Sequence, residues 1–140
     1  KKGLLNVTNN TGLQGRWQVL GHDPKVVCDT AHNKEGLIYI MQQLKMESFN
    51  TLHIVFGVVN DKDLNTIIPL LPKKAIYYFC KPNVQRGLDS KNLQTVFAEN
   101  QRIGESFNSV KEAYEKAKSA ASIYDLIYVG GSTFVVAEII

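Results

Sequence analysis

Four polar segments of this chain carry residues able to bind a charged ligand, and each directly follows an apolar run. After Val26-Val27-Cys28 comes Asp29-Thr30-Ala31-His32-Asn33, and after His53-Ile54-Val55-Phe56 comes Gly57-Val58-Val59-Asn60-Asp61-Lys62-Asp63. After Tyr77-Tyr78-Phe79-Cys80 the chain reaches Arg86, and after Leu126-Ile127-Tyr128-Val129 stands Gly130-Gly131-Ser132. An acid that ends a buried strand loses hydration and needs partners, which a ribose hydroxyl pair or a neighbouring cation would supply. Capping of a helix that begins near Asn33 would serve Asp29 equally well. His32 stands at the same helix start, suited to hydrogen bonding either as a cap or as a ligand contact. Gly130-Gly131-Ser132 leads into a helix N-terminus, where backbone N–H groups can receive a carboxylate or phosphate, or it forms only a tight turn. Arg86 has the planar fork that clamps a carboxylate with two parallel hydrogen bonds, or it faces solvent. Lys62 lies in a charge triplet and Arg16 lies between Gly15 and Trp17, and ordinary surface roles would account for both.

Positioning these residues falls to the elements that alternate along the chain. Strands are expected at Trp17 to Leu20, Lys25 to Cys28, Thr51 to Phe56, Ala75 to Cys80 and Asp125 to Val129, with a weaker one near Glu105 to Phe107. Most are nearly continuous apolar runs, as strands covered on both faces are. Leu37, Ile40, Met41 and Leu44 share one face of a helix from about Lys34 to Glu47, and Leu64, Ile67, Ile68 and Leu71 do so in the next, which Pro72 stops. Ser90 can cap a third helix, Ser109 with Glu112 makes a capping box for a fourth through Ala121, and Ser132 can cap a last one running to Ile140. The first fifteen residues hold Asn-rich turns and a short helix at most. The alternation implies an α/β fold with a mostly parallel sheet of about six strands and helices on both faces. In such sheets ligands bind beyond the carboxyl ends of the strands, which puts all four polar segments on one rim.

Composition bounds the rest. The chain has 140 residues, 44% hydrophobic and 21% charged, with 16 Lys and Arg against 13 Asp and Glu for a net charge of +3. That is one domain with enough apolar content for a core, and disorder and fibrous repeats are excluded. Apart from Lys1-Lys2 only Lys73-Lys74 adjoin, so no basic stripe suits nucleic acid. No apolar run approaches the ~20 residues of a membrane span, and a cytoplasmic domain is the expectation. Cys28 and Cys80 have no CxxC spacing and read as small apolar strand residues. His22 falls in a turn beside Asp23-Pro24, and His53 in a strand. The sequence contains no GxxxxGK[ST], no GxGxxG and no GxSxG, and so no self-sufficient engine for phosphate or acyl chemistry.

In order along the chain stand Gly15-Arg16-Trp17-Gln18, Asp29-Thr30-Ala31-His32-Asn33, Gly57 with Asp61-Lys62-Asp63, Gln85-Arg86-Gly87-Leu88, and Gly130-Gly131-Ser132-Thr133-Phe134-Val135-Val136-Ala137-Glu138. Together they resemble the C-terminal domain of the folylpolyglutamate synthase and dihydrofolate synthase group within the Mur ligase family. The family's usual residue after the strand-end acid is Gly, where Thr30 stands here. The resemblance implies a Rossmann-like fold and one C-terminal domain over residues 1–140, with the N-terminal P-loop ATPase domain absent from this chain. It implies ATP-driven amide formation, in which a substrate carboxylate takes the γ-phosphoryl group and the amine of L-glutamate attacks the acyl phosphate. By similarity, Arg16, Asp29 and Asn33 would hold ATP, and His32 and Ser132 would line the place where glutamate meets its phosphoryl end. Lys62 and Arg86 would take substrate carboxylates, Lys62 pairing alternatively with Asp61 or Asp63. The magnesium ligands and the site for dihydropteroate or a reduced folate would lie in the N-terminal domain, leaving the fragment inactive alone. The rivals are a cell-wall UDP-N-acetylmuramoyl amino-acid ligase and a non-catalytic α/β module such as a receiver domain. The Asp-Lys-Asp element favours the folate branch, and a receiver domain would need an acidic pair and a late lysine that are not evident.

Overall fold

The computed structural model describes residues 17–140; Gly15, Arg16 and the turns expected before them lie outside the described residues. The strands are β1 (Gln18–Gly21), β2 (Lys25–Cys28), β3 (Leu52–Phe56), β4 (Ile76–Phe79), β5 (Gly104–Ser106) and β6 (Leu126–Gly130). They form one six-stranded sheet in the order β1-β2-β6-β3-β4-β5. Every neighbouring pair is parallel except β1 with β2, which are joined by a turn containing His22. The central strands β3 and β6 are buried along their whole length, which explains their unbroken apolar sequences.

The helices are α1 (Lys34–Lys45), α2 (Leu64–Ile67), α3 (Ser90–Ala98), α4 (Val110–Ala120) and α5 (Thr133–Ala137). On one face of the sheet Val27, Ile54, Phe56, Tyr77, Phe79 and Tyr128 pack with residues of α1, α2 and α3. Phe97 of α3 is the hub there, with ring centroids 4.9 Å from Phe79 and 5.6 Å from Phe56. On the other face Cys28, Val55, Tyr78, Ile127 and Val129 meet Val110, Ala113 and Ala117 of α4 and Val135 and Val136 of α5. Small alanines let α4 lie close to the sheet, and each large side chain fully buried in such a layer contributes about 1.5–3 kcal/mol.

Helix ends differ from the sequence expectation in instructive ways. The second helix keeps α geometry only to Ile67 and continues as a 3-10 turn over Ile68–Leu70. The cause is Pro69, which has no N–H for an α-helical bond but fits the first turn of a 3-10 segment. Asp89, rather than Ser90, caps α3 by accepting from the Asn92 N–H. The Ser109 hydroxyl accepts from the Glu112 N–H while Glu112 accepts from the Asn108 N–H, so the capping box forms one residue wider than its usual pattern. The last helix stops at Ala137, short of Ile140.

Candidate functional site

Strands β2, β6, β3 and β4 are contiguous and parallel, so the polar segments that follow them meet on one rim. The ladder runs on past the strand ends: the Asp29 N–H donates to Val129 O (3.2 Å), Gly57 N–H to Gly130 O (3.3 Å) and Cys80 N–H to Phe56 O (3.0 Å). Asp29 is only 2% exposed. Its Oδ1 accepts from the Ala31 N–H (2.7 Å) and its Oδ2 from the Trp17 N–H (2.6 Å). Asp29 therefore ties its own loop to the residue before β1 and does not cap α1. That role belongs to Asn33, whose Oδ1 accepts from the Gly36 N–H at 2.9 Å. Next to it, the exposed His32 ring lies with Nδ1 3.3 Å from Thr30 O. A carbonyl only accepts, so Nδ1 carries the hydrogen in that bond and Nε2 is left for a ligand.

After β6 the backbone reaches φ +101° at Gly131, a left-handed value that side chains rarely adopt, and a β-carbon there would strike Gly57 O. The two glycines thus bring the loops after β6 and β3 into backbone contact. Ser132 follows, 5% exposed, and caps α5 by accepting from the Phe134 N–H at 3.0 Å. The loops after β3 and β4 are stitched as well. Val59 bridges Gly87, the Asn60 N–H donates to Arg86 O (2.6 Å) and the Leu88 N–H donates to Val58 O (2.9 Å). Arg86 Nη1 stands 3.4 Å from Asp61 Oδ2, and Asp63 accepts from the Thr66 hydroxyl at 2.6 Å. Lys62, half-buried between the two acids, forms no ion pair among the described residues, with neither Asp61 nor Asp63 as its partner.

Two cavities open on this rim. One of about 330 Å³ is lined by His32, Lys62, Arg86 and Ser132, together with Asp61 and Phe134. The other, of about 250 Å³, is lined by Asp29, His32 and Asn33, with Tyr39 of α1 on its edge. His32 belongs to both. The six candidate residues within the described chain are thereby gathered around one histidine, and the seventh, Arg16, lies outside the described residues. Sequence reasoning passed over Tyr39 and Phe134. Tyr39 is 56% exposed and lies off the apolar stripe of α1, and an aromatic on the wrong side of an amphipathic helix was the available signal. Among the described residues no group of His, Cys, Asp or Glu could hold a metal ion, and no helix is long and apolar enough to cross a membrane.

Fold and rim together define a mostly parallel α/β domain with a polar rim at the carboxyl ends of its strands, where open sheets of this class take their ligands. The chain belongs to the Mur ligase family, matching the model of its glutamate ligase domain over residues 15–133. It is 35% identical over 130 residues to a probable bifunctional folylpolyglutamate synthase/dihydropteroate synthase of Haloferax volcanii, covering 92% of this chain and 16% of that protein. A solved structure of Escherichia coli FolC in complex with DHPP and ADP superposes with a TM-score of 0.81 at 28% identity, over 89% of this chain and 30% of that one. A bifunctional folylpolyglutamate synthase/dihydrofolate synthase with Mn, AMPPNP and L-glutamate bound gives a TM-score of 0.81 at 26% identity, over 91% and 31%. The chain thus spans a third or less of the length of these relatives. The family's nucleotide and metal use is visible in these complexes, which hold ADP or AMPPNP and, in one case, manganese.

Proposed function

We propose that residues 1–140 form the C-terminal domain of an ATP-dependent ligase that joins L-glutamate to a pterin acceptor, dihydropteroate or a reduced folate, through an acyl phosphate. The observation that carries this reading is the shared wall: His32 lines both a cavity holding Asp29 and Asn33 and a cavity holding Lys62, Arg86 and Ser132. Of the three substrates, the nucleotide and the incoming glutamate must both reach the acceptor's carboxylate, and adjoining cavities with one polar side chain at their junction suit that geometry.

In this reading Asp29 and Asn33, with Arg16, hold the nucleotide. The carboxylate at the floor of the smaller cavity suits a ribose hydroxyl pair, since hydroxyls donate to it without adding charge. Lys62 and Arg86 receive the carboxylates of glutamate. Ser132 and the Nε2 of His32 stand where the amine meets the acyl phosphate, Nε2 accepting from the amine and the Ser132 hydroxyl donating to a phosphoryl oxygen. Magnesium is the metal assigned to the ATP, and its ligands come from an N-terminal ATPase domain, the expected partner of this rim. Closure of that partner over an open rim would exclude water from a hydrolysable intermediate. Nucleic acid and membrane have no part in the scheme.

The test is a pair of glutamate-ligation assays on the full-length enzyme with ATP and magnesium, offering dihydropteroate in one and tetrahydrofolate in the other. Turnover of either establishes the reading and tells which acceptor the domain serves. Turnover of a cell-wall precursor instead, with neither pterin used, refutes the folate assignment and keeps the family. The isolated chain is expected to ligate nothing, and turnover by it would refute the two-domain account.

A further inference from the structure

The larger cavity holds two cations and one acid, and the acid is already bound to one of the cations. Arg86 uses a single nitrogen, Nη1, to reach Asp61 Oδ2, and does so at a long 3.4 Å. A guanidinium can offer a carboxylate two parallel bonds, so this contact leaves its fork mostly unused. Both side chains are well solvated, 59% exposed for Arg86 and 67% for Asp61, and exchange of partners there costs little. Nor does the pair hold its loops together. That is done by the bridge between Val59 and Gly87 and by the flanking bonds of Asn60 to Arg86 O and Leu88 to Val58 O.

We propose that Asp61 is an internal competitor, a carboxylate that occupies Arg86 until a substrate carboxylate displaces it, and so sets the affinity for the incoming amino acid. The inference rests on the glutamate-ligase reading. A ligand with one carboxylate must win Arg86 from Asp61 with that group alone. A ligand with two gains a second contact at Lys62, the cation without an ion pair among the described residues, and Asp61 does not contest it. Releasing Arg86 from Asp61 costs the same for any carboxylate that takes it, so Asp61 lowers affinity while the second contact at Lys62 supplies the preference for glutamate.

The experiment is a steady-state comparison of Asp61→Asn with wild type in the full-length enzyme, varying glutamate, then glutamine, with KM for ATP as the internal reference. Asparagine keeps the size of the side chain and removes the charge. The expected result is a fall in KM for glutamate of about two- to fivefold, the range an exposed ion pair supplies, and a fall for glutamine by a similar factor. In an Arg86→Met background the same substitution is expected to do nothing, because there is no guanidinium left to release. A KM for glutamate that is unchanged or raised in Asp61→Asn overturns the inference, as does an equal fall with Arg86 absent. A wild-type enzyme that ligates no glutamate instead overturns the reading beneath it, which keeps the two failures distinct.

Discussion

The hydroxyl of Tyr128 occupies the space that a β-carbon on Gly130 would need. The two residues sit two apart on β6, so they share a face, and the fully buried tyrosine leans along its strand toward the rim. Gly130 is thus a glycine for want of room. Among the described residues the hydroxyl has no hydrogen-bond partner.

A double-mutant cycle tests this coupling. Gly130→Ala alone is expected to cost about 1–3 kcal/mol by overpacking the strand end. Tyr128→Phe alone should be neutral or stabilising, because it removes a hydroxyl that finds no partner. In the combined variant the alanine should regain much of its loss. Chemical denaturation of the four proteins gives the coupling energy, and simple additivity would show that the crowding arises elsewhere.

A second prediction concerns acid. On the α4 face of the sheet His53 Nε2 lies 2.8 Å from Asp125 Oδ2 and its Nδ1 lies 2.8 Å from the Tyr78 hydroxyl. Burial raises the Asp125 pKa, but hydrogen bonds from His53 and from the Ser122 and Thr51 N–H groups outweigh it and hold the carboxyl below its usual 3.8. A depressed carboxyl contributes stability that is complete above the unfolded value and is lost as pH falls through the folded one. The protein should therefore hold this contribution down to about pH 3.8 and shed it below. Asp125→Asn should destabilise by about 1–3 kcal/mol at neutral pH and flatten the acid limb of stability against pH. Urea titrations across that range supply the check.

The thiols offer a third. Burial pushes Cys28 up to about 12, helped by the adjacent charge of Asp29, and burial pushes Cys80 further still. The thiolate is the reactive species, so neither residue should be alkylated in the native state at pH 8. Labelling with iodoacetamide should follow global opening, both cysteines reacting together as denaturant is raised. Fast modification of Cys28 in native buffer would contradict its place in the core.

What could be read from sequence was set by range. Unbroken runs such as Ile54-Val55-Phe56 and Ile127-Tyr128-Val129 announce doubly covered strands locally, and the β2, β3 and β6 spans were legible to within a residue. Gathering His32, Lys62, Arg86 and Ser132 on one rim needed only the rule that parallel strands end together. The partners of Asp29 were not legible. One of them, the Trp17 N–H, comes from twelve residues upstream across an antiparallel pair. The Asp61 and Arg86 contact likewise spans 25 residues and depends on the register of β3 against β4. Pro69 was a local signal passed over: it, rather than Pro72, ends the α geometry of the second helix. Asp29→Ala is therefore expected to cost stability, since that change strands two backbone donors.

The last prediction separates the two residues assigned to the junction of the cavities. His32 is exposed and its one hydrogen bond among the described residues, to Thr30 O, is 3.3 Å long and local, so its ring contributes little to the fold. Ser132 is 5% exposed and its hydroxyl caps α5 through the Phe134 N–H. If both act on the substrates, His32→Ala in the full-length enzyme should lower kcat for ligation by tenfold or more, the scale of one positioned acid–base group, while the melting temperature holds. Ser132→Ala should lower both, since losing an N-cap costs about 1 kcal/mol. Ser132→Asp is the informative partner: it restores a capping oxygen, and so stability, but sets a negative charge where the phosphoryl end of ATP is assigned. Activity recovered with stability in Ser132→Asp would mean that the residue only caps its helix. Stability recovered without activity would tie the neutral hydroxyl to the chemistry.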